Sequence, residues 1–233
     1  LPDFSQVEGD VQRVDLNQRF AFLYPEQRPF FLDGIDTFQD QNDTLYTRSV
    51  VAPVYGAKVS GRAEGLGVVA LQSMDRTPAA SIHELGTPGF AEGGVDGMYA
   101  LNAFGRARFD LARNGYVGLT AGDKRLINDS FQPNGAASDV FAADTAVPLG
   151  ELWTAKGFGS VSLAGQPGEQ LSGLRSGASI GRSPSLGTGG ILEVSDITPD
   201  YRNEMGYLTQ SGIRNLDGMV DHTLALGDGN STS

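Results

Sequence analysis

Five carboxylates fall close together near the start of the chain: Glu26, Asp33, Asp36, Asp40 and Asp43, with Arg28 among them. Glu26, Asp33 and Asp36 could supply the two carboxyl groups of a glycan hydrolase, one as acid and one as base or nucleophile. Asp33, Asp36, Asp40 and Asp43 offer oxygen ligands of the kind calcium takes, but their spacing does not match an EF-hand loop. Solvated loop charge is the plainer reading of those four, and beyond this weak calcium site no cofactor is expected. Further on, Gly177-Ala178-Ser179-Ile180-Gly181 has the form of a nucleophile elbow, followed by Asp196, Asp200, Asp217 and His222 in hydrolase order. An elbow needs a strand-to-helix turn, and Ser179 lies inside an alternating stretch with no helical pattern after it. Gly65-Leu66-Gly67-Val68-Val69-Ala70 matches a relaxed dinucleotide fingerprint but opens a strand pattern, without a βαβ unit. His83 and His222 are the two histidines, and two isolated histidines do not make a zinc site.

The elements that must position these residues are strands. Glycine is about twice as frequent as usual, at 32 of 233 residues, with hydrophobic content at 39% and no collagen period. Short alternating runs between glycine, proline and polar turns dominate, the signature of an all-β chain. The net charge of −11 argues against a nucleic-acid groove, and the absence of cysteine removes disulfides and thiolate chemistry. The length suits one domain spanning residues 1–233: an N-terminal strand and plug-like segment (1–48), a hairpin meander (49–226) and a flexible tail (227–233).

The clearest alternation runs from Met98 to Leu111, with Tyr99, Leu101, Ala103, Ala107 and Phe109 on one face and Asn102, Phe104, Arg106 and Arg108 on the other. Asn114-Gly115 then predicts a hairpin turn, and Tyr116–Lys124 returns. The same pattern predicts strands over Val54–Arg62, Leu66–Met74, Val140–Leu149, Trp153–Leu163, Leu171–Arg182, Gly190–Ile197, Met205–Ile213 and Met219–Leu226, about ten in all. Residues 75–97 and 125–139 read as loops. A soluble sandwich also alternates. Three features favour a membrane barrel: strands long enough to cross a bilayer at a tilt, Lys58, Arg62, Arg106, Arg108 and Lys156 on the polar faces as in a wet lumen, and aromatics near strand ends (Tyr55, Tyr99, Phe109, Tyr116, Trp153).

Four stretches in order, "PDFSQVEGD" (2–10), "VDLNQRFAFLYPEQRPFFLDG" (14–34), "YGAKVSGR" (55–62) and "DITPDYRNEMGYL" (196–208), carry a resemblance. The chain resembles a bacterial family of predicted outer-membrane β-barrel domains of unassigned function. Members typically follow a carbohydrate-binding module similar to family 9, and typically continue into a longer barrel. The resemblance implies residence in the bacterial outer membrane and contact with its lipid. It also implies a surface glycan or oligosaccharide as ligand, and other segments of a longer parent chain as partners. The expected fold is an antiparallel meander forming part or all of an outer-membrane-type barrel, with Pro2–Asp10 as its first strand. The expected function is a scaffold or passage. A soluble carbohydrate-binding β-sandwich and the carboxylate-dependent hydrolase are the alternatives.

Within that picture the segment from Tyr24 to Gly34 is a structured turn or inward plug. Pro25 and Pro29 fix φ and cannot donate to a ladder. Glu26, Arg28, Phe30, Phe31 and Asp33 are its plug or ligand-binding candidates, with Arg28 expected to pair with a carboxylate while the phenylalanines wedge against the wall.

Overall fold

The computed structural model describes residues 26, 28–32, 37, 39–50, 53–76, 98–128, 130–166 and 169–224. Among the described residues Pro29–Leu32 form one helical turn, α1, and nine strands follow: β1 (Pro53–Ala63), β2 (Leu66–Asp75), β3 (Met98–Asp110), β4 (Tyr116–Asn128), β5 (Pro133–Leu149), β6 (Trp153–Gln166), β7 (Glu169–Arg182), β8 (Gly187–Ile197) and β9 (Ile213–Thr223). They make a single antiparallel sheet in sequence order, so every strand pairs with its chain neighbours. β1 and β9 are its two edges, and the sheet is not closed into a barrel. None of the described helices is long and apolar enough to cross a membrane, which says nothing of strands.

Directly paired residues share a face of a sheet, so the register sorts the side chains into two sets. One row crosses the sheet as Ser60, Val69, Arg106, Thr120, Ala142, Ser160, Arg175 and Ile197. The adjacent row, one residue along, reads Val59, Ala70, Gly105, Ala121, Phe141, Val161 and Leu174. The first face is covered: the described residues between 26 and 50 and the β8–β9 connection, 198–212, pack on it and bury Arg106, Thr120 and Ser160. The second face is open, with Val59, Phe141 and Leu174 exposed at 72%, 56% and 56%. The polarity is inverted relative to a water-soluble protein, where the covered side of a sheet carries the apolar residues.

The apolar core is correspondingly small and sits between the covered face and its lid. Phe31, Val50, Val69, Leu71, Phe104 and Met205 form one cluster, and Ile197, Tyr201 and Leu208 form a second.

Three sequence expectations differ from the structure, and one is met with a shift. The hairpin turn predicted at Asn114-Gly115 joins β3 to β4, with Arg113 (φ 58°) and Asn114 (φ 63°) in the left-handed region and Gly115 at φ −74°. Two consecutive positive φ angles are what a tight turn compatible with strand twist requires, and Glu64 and Gly65 repeat the device between β1 and β2. Residues 125–139 are mostly strand, not loop. β4 continues to Asn128, and a short turn, held by Asn128 Oδ1 accepting from the N–H groups of Ser130 (3.0 Å) and Gln132 (2.9 Å), leads into β5. Glycine, asparagine and small polar residues hid that strand.

Met205–Ile213 is not a strand. Asn203 Oδ1 takes the N–H groups of Met205 (3.2 Å) and Gly206 (3.0 Å), and the Asp43 carbonyl takes that of Tyr207 (3.2 Å). These bonds substitute for a ladder and turn the segment onto the covered face. The partner of β8 is therefore a continuous β9. Tyr116, expected with the aromatics at the wall's margins, instead shares the covered face with Asp144. Pro2–Asp10 and most of 75–97 lie outside the described residues.

Candidate functional site

Arg28 precedes α1, whose first residue is Pro29, a position where the missing N–H is not needed. The guanidinium is fully engaged at close range. Nε and Nη2 donate to Glu26 Oε1 (2.9 Å) and Oε2 (2.8 Å) in a two-pronged pair. Nη1 reaches the Val50 carbonyl at 2.7 Å and Nη2 also reaches that of Thr47 at 2.8 Å. The group lies 4.3 Å from the centre of the Phe31 ring. Burial would raise the pKa of Glu26, but hydrogen bonds from the Arg28 side chain, the Thr47 hydroxyl and the Arg28 N–H, with the Arg28 charge, outweigh it and hold it at about 2. A carboxylate held that low is a fixed anion, unsuited to donate a proton near neutral pH.

Phe31 is wholly buried, with Phe30 edge-on to it at 5.0 Å. Lys58 of β1 donates to the Phe30 carbonyl at 2.7 Å, tying α1 to the sheet.

Residues 39–50 carry the chain across the covered face. Asp40 Oδ1 accepts from the N–H groups of Asn42 (3.2 Å) and Thr44 (3.0 Å), which fixes the turn. Gln41 Nε2 donates to the Tyr116 hydroxyl (3.0 Å) and the Thr145 carbonyl (2.8 Å). Arg175 of β7 donates to the Asn42 carbonyl (2.5 Å) and to Asp43 Oδ2 (3.3 Å). Burial pushes the Asp43 carboxyl up, with Arg175 opposing it. Of the four aspartates considered for calcium, Asp40 and Asp43 thus hold this turn, while Asp33 and Asp36 lie outside the described residues. Among the described residues no three His, Cys, Asp or Glu side chains converge on a metal-sized site.

Beneath this segment Arg106 of β3 makes a second two-pronged pair, with Asp144 of β5, at 2.6 and 3.1 Å. Both side chains are completely shielded from solvent. Arg106 also donates to Thr120 (2.8 Å), and the Tyr116 hydroxyl donates to Asp144 Oδ2 (2.8 Å). The pair fits because Gly118 sits under it: a Cβ there would lie 2.5 Å from both Arg106 Nη2 and Asp144 Oδ1.

The other basic residues expected on this face spread outward. Arg108 donates to Asp110 (3.1 Å) and lies 4.1 Å from the centre of the Tyr116 ring, Arg62 pairs with Asp110, and Lys156 is exposed. Asp144, Gln41 and Arg175 were not singled out from the sequence, and Tyr116 was expected only as an aromatic near a strand end. Asp144 was findable, since it alternates in phase with Ser138, opposite a set that includes Phe141, Ala143, Val147 and Leu149.

The second inward segment, 198–212, meets the first. Tyr201 is wholly buried and its hydroxyl lies 2.9 Å from that of Ser160; burial raises its pKa. Tyr46 donates its N–H to the Met205 carbonyl (2.7 Å), and its ring meets that of Tyr207 at 5.5 Å. Asn203 Nδ2 donates to the Thr44 carbonyl at 3.2 Å. Two stretches from opposite ends of the chain therefore fill one space.

Ser179 lies mid-strand in β7, with no helix after it, so the elbow geometry is missing. Gly65 is in the β1–β2 turn, and Gly67 is in a strand. His222 stands near the exposed end of β9, 2.9 Å from the Thr188 hydroxyl, and His83 is outside the described residues.

The fold and site define an all-β protein with a polar, filled covered face and an apolar open one. A family model described as a domain of unknown function (DUF5916) matches residues 1–64, the part that holds Glu26, Arg28, α1 and β1. The chain is thus similar, over that part, to an uncharacterised domain family. No curated protein and no solved structure matches it.

Proposed function

We propose that this domain forms part of the wall of an outer-membrane β-barrel and serves there as a membrane-embedded scaffold. The observation that carries the reading is the inverted polarity of the sheet. A contiguous open face of aliphatic and aromatic residues, running from Val59 to Leu174 across seven strands, is a large apolar surface for a soluble protein to expose. In a bilayer the same face is solvated by lipid, and the polar set belongs inside. A soluble sandwich would cover that face with a second sheet, whereas all nine described strands belong to one.

The slant of the apolar band adds support. On the open face it ends at Asp123, Arg125 and Asp139 on β4 and β5, where the arginine bridges both acids at 2.5 and 2.7 Å. On β8 and β9 it ends at Asp196 and Arg214, paired at 2.5 Å. Asp123 leads through Asp139 and Leu163 to Ser172, whereas Asp196 pairs with Ser176, so the edge shifts four residues along the strand between β4 and β8. One residue per strand, at ~3.3 Å rise and ~4.8 Å spacing, is a tilt of about 35°. Barrel strands tilt by roughly 35–45°. Strands of 10 to 17 residues are long enough for that path.

The filled covered face favours a scaffold over an open passage. A surface glycan or oligosaccharide remains the ligand that the resemblance suggests, and binding to immobilised polysaccharide checks it separately. For the membrane reading the protein carries its own probe: Trp153 is the single tryptophan and stands on the open face at the start of β6. Reconstituted into vesicles of brominated lipids, the protein should float with the lipid, and its fluorescence should be quenched most by bromines placed near the headgroups. Emission from Trp153 unaffected by bromine at every depth would sink the proposal.

A further inference from the structure

Residues 198–212 form a closed loop whose two ends are tied together. Arg202 Nη1 donates to the Pro199 carbonyl (2.6 Å), the Tyr201 carbonyl (2.8 Å) and Ser211 Oγ (3.1 Å), and Ser211 Oγ donates to the Pro199 carbonyl (3.1 Å). Gly212, with φ +72°, turns the chain out into β9. A neck fastened in this way gives a compact surface-type loop that holds its own shape, here directed onto the covered face.

Its body is seated on the sheet and leaves no play beneath it. The backbone of Tyr201 presses so closely on Gly173 of β7 that a Cβ at that glycine would collide with it. The Arg202 N–H donates to Ser162 Oγ (3.0 Å), and that of Glu204 to Ser138 Oγ (3.4 Å). Lys124 Nζ, wholly buried, donates to the Glu204 carbonyl at 3.4 Å. The far side of the loop grips residues 43–49: through Tyr207 N–H to the Asp43 carbonyl, Asn203 to the Thr44 carbonyl, the Tyr46–Tyr207 rings, and both Tyr46 N–H and Ser49 Oγ to the Met205 carbonyl.

We propose that residues 198–212 are a lock. They retain residues 39–50 against the polar wall and keep that part of the interior closed to solutes. The inference rests on the barrel reading and adds to it an internal closure with a named fastening. The two segments share backbone bonds with each other and side-chain bonds with β4, β5, β6 and β7. Neither can leave the wall while the other stays in register. A solute passing along this wall would need both to move together.

The test uses the full chain with Tyr46→Cys, Tyr207→Cys and Asn203→Ala. The native sequence contains no cysteine, so the new pair reacts alone. With the thiols free, the ring contact and the Asn203 bonds are gone and the lock is loosened; bridging them with a short bifunctional thiol reagent closes it again in the same molecules. Two readouts are taken in vesicles, release of a small trapped dye and tryptic cleavage after Arg48. Wild type and the bridged form should retain dye and resist cleavage. The free-thiol form should leak, and cleavage should be faster by about tenfold or more, since cleavage follows the population of the opened state. Recovery on bridging shows that the free-thiol form has not misfolded. Leakage through wild type overturns the closure. A free-thiol form that neither leaks nor gains cleavage, or that is cleaved without leaking, overturns the lock. Protein that fails to float with lipid counts against the barrel reading instead, and cleavage after Arg48 then still reads the lock on the soluble protein.

Discussion

Arg106 on β3 lies directly over the backbone of Gly118 on β4, and a methyl group at Gly118 would sit 2.5 Å from its Nη2. The glycine is the floor on which the buried Arg106–Asp144 pair rests. Gly118→Ala should therefore push the guanidinium off its carboxylate and leave two shielded charges imperfectly paired. Breaking a buried pair costs about 3–5 kcal/mol, and a displaced one should cost about 2–4 kcal/mol on the same scale. Denaturant titration of refolded protein measures it. In an Arg106→Met, Asp144→Leu background the same substitution should cost much less, and an undiminished penalty there would point to backbone strain instead.

Arg28 and Arg113 make a controlled comparison. Arg28 is buried with five polar bonds to its side chain and N–H, whereas Arg113 stands exposed in the β3–β4 turn. Arg28→Ala strips the guanidinium from the enclosed Glu26 carboxylate and should cost about 3–5 kcal/mol. Arg113→Ala should change stability by about 0.5 kcal/mol or less. Equal effects in thermal or denaturant unfolding would remove the central part assigned to Arg28.

Glu26 gives the fold an acid limit. Its pKa falls from 4.5 to about 2 on folding. A depressed carboxylate contributes stability that is fully present above pH 4.5 and disappears as pH falls through 2, amounting to about 3 kcal/mol. Glu26→Gln should flatten that stretch of the stability–pH curve, and the difference between wild type and variant should vanish near pH 2. A difference that stayed constant from pH 6 to pH 2 would contradict the assignment.

The two faces of the sheet should respond oppositely to charge. Ala70 is on the open face of β2 and Ser60 on the polar face of β1, and both are exposed. Ala70→Arg should hinder membrane assembly by roughly 2–4 kcal/mol, the cost of arginine facing lipid near the midplane. Ser60→Arg should be tolerated. The gel shift on heating that folded barrels show would score both variants. Equal tolerance would mean that water, not lipid, bathes the Ala70 face.

How much of this was readable beforehand depended on local signal. The alternation from Tyr99 to Phe109 divided the β3 side chains into the two sets that the register shows, because each residue reports its face independently of any distant contact. Glu26 and Arg28 announced a pair by standing two residues apart between prolines. The dependence of Arg28 on the Thr47 and Val50 carbonyls was invisible, since carbonyl acceptors carry no side-chain signature. Met205–Ile213, within the inward segment 198–212, reads as a strand in the sequence because Met205, Tyr207 and Ile213 fall in one phase by accident. What decides the matter is Asn203, whose side chain captures the backbone donors a ladder would need. Gly118 and Gly173 likewise look like any other strand glycines until the side chain or backbone that crowds them is in place.

Asn203 and Thr44 are 159 residues apart, and their hydrogen bond has a consequence for the order in which the protein forms. The meander itself is built from contacts between neighbouring strands, which close short loops and so form early. Covering the polar face must wait until the eighth strand exists and a loop of that length has been closed, a step whose entropic cost grows with loop size. Refolding should therefore show two phases, a fast rise in β-sheet content and a slower shielding of the two segments from hydrogen exchange. Between them lies a sheet with its polar face bare, the interval in which it is most vulnerable to proteases.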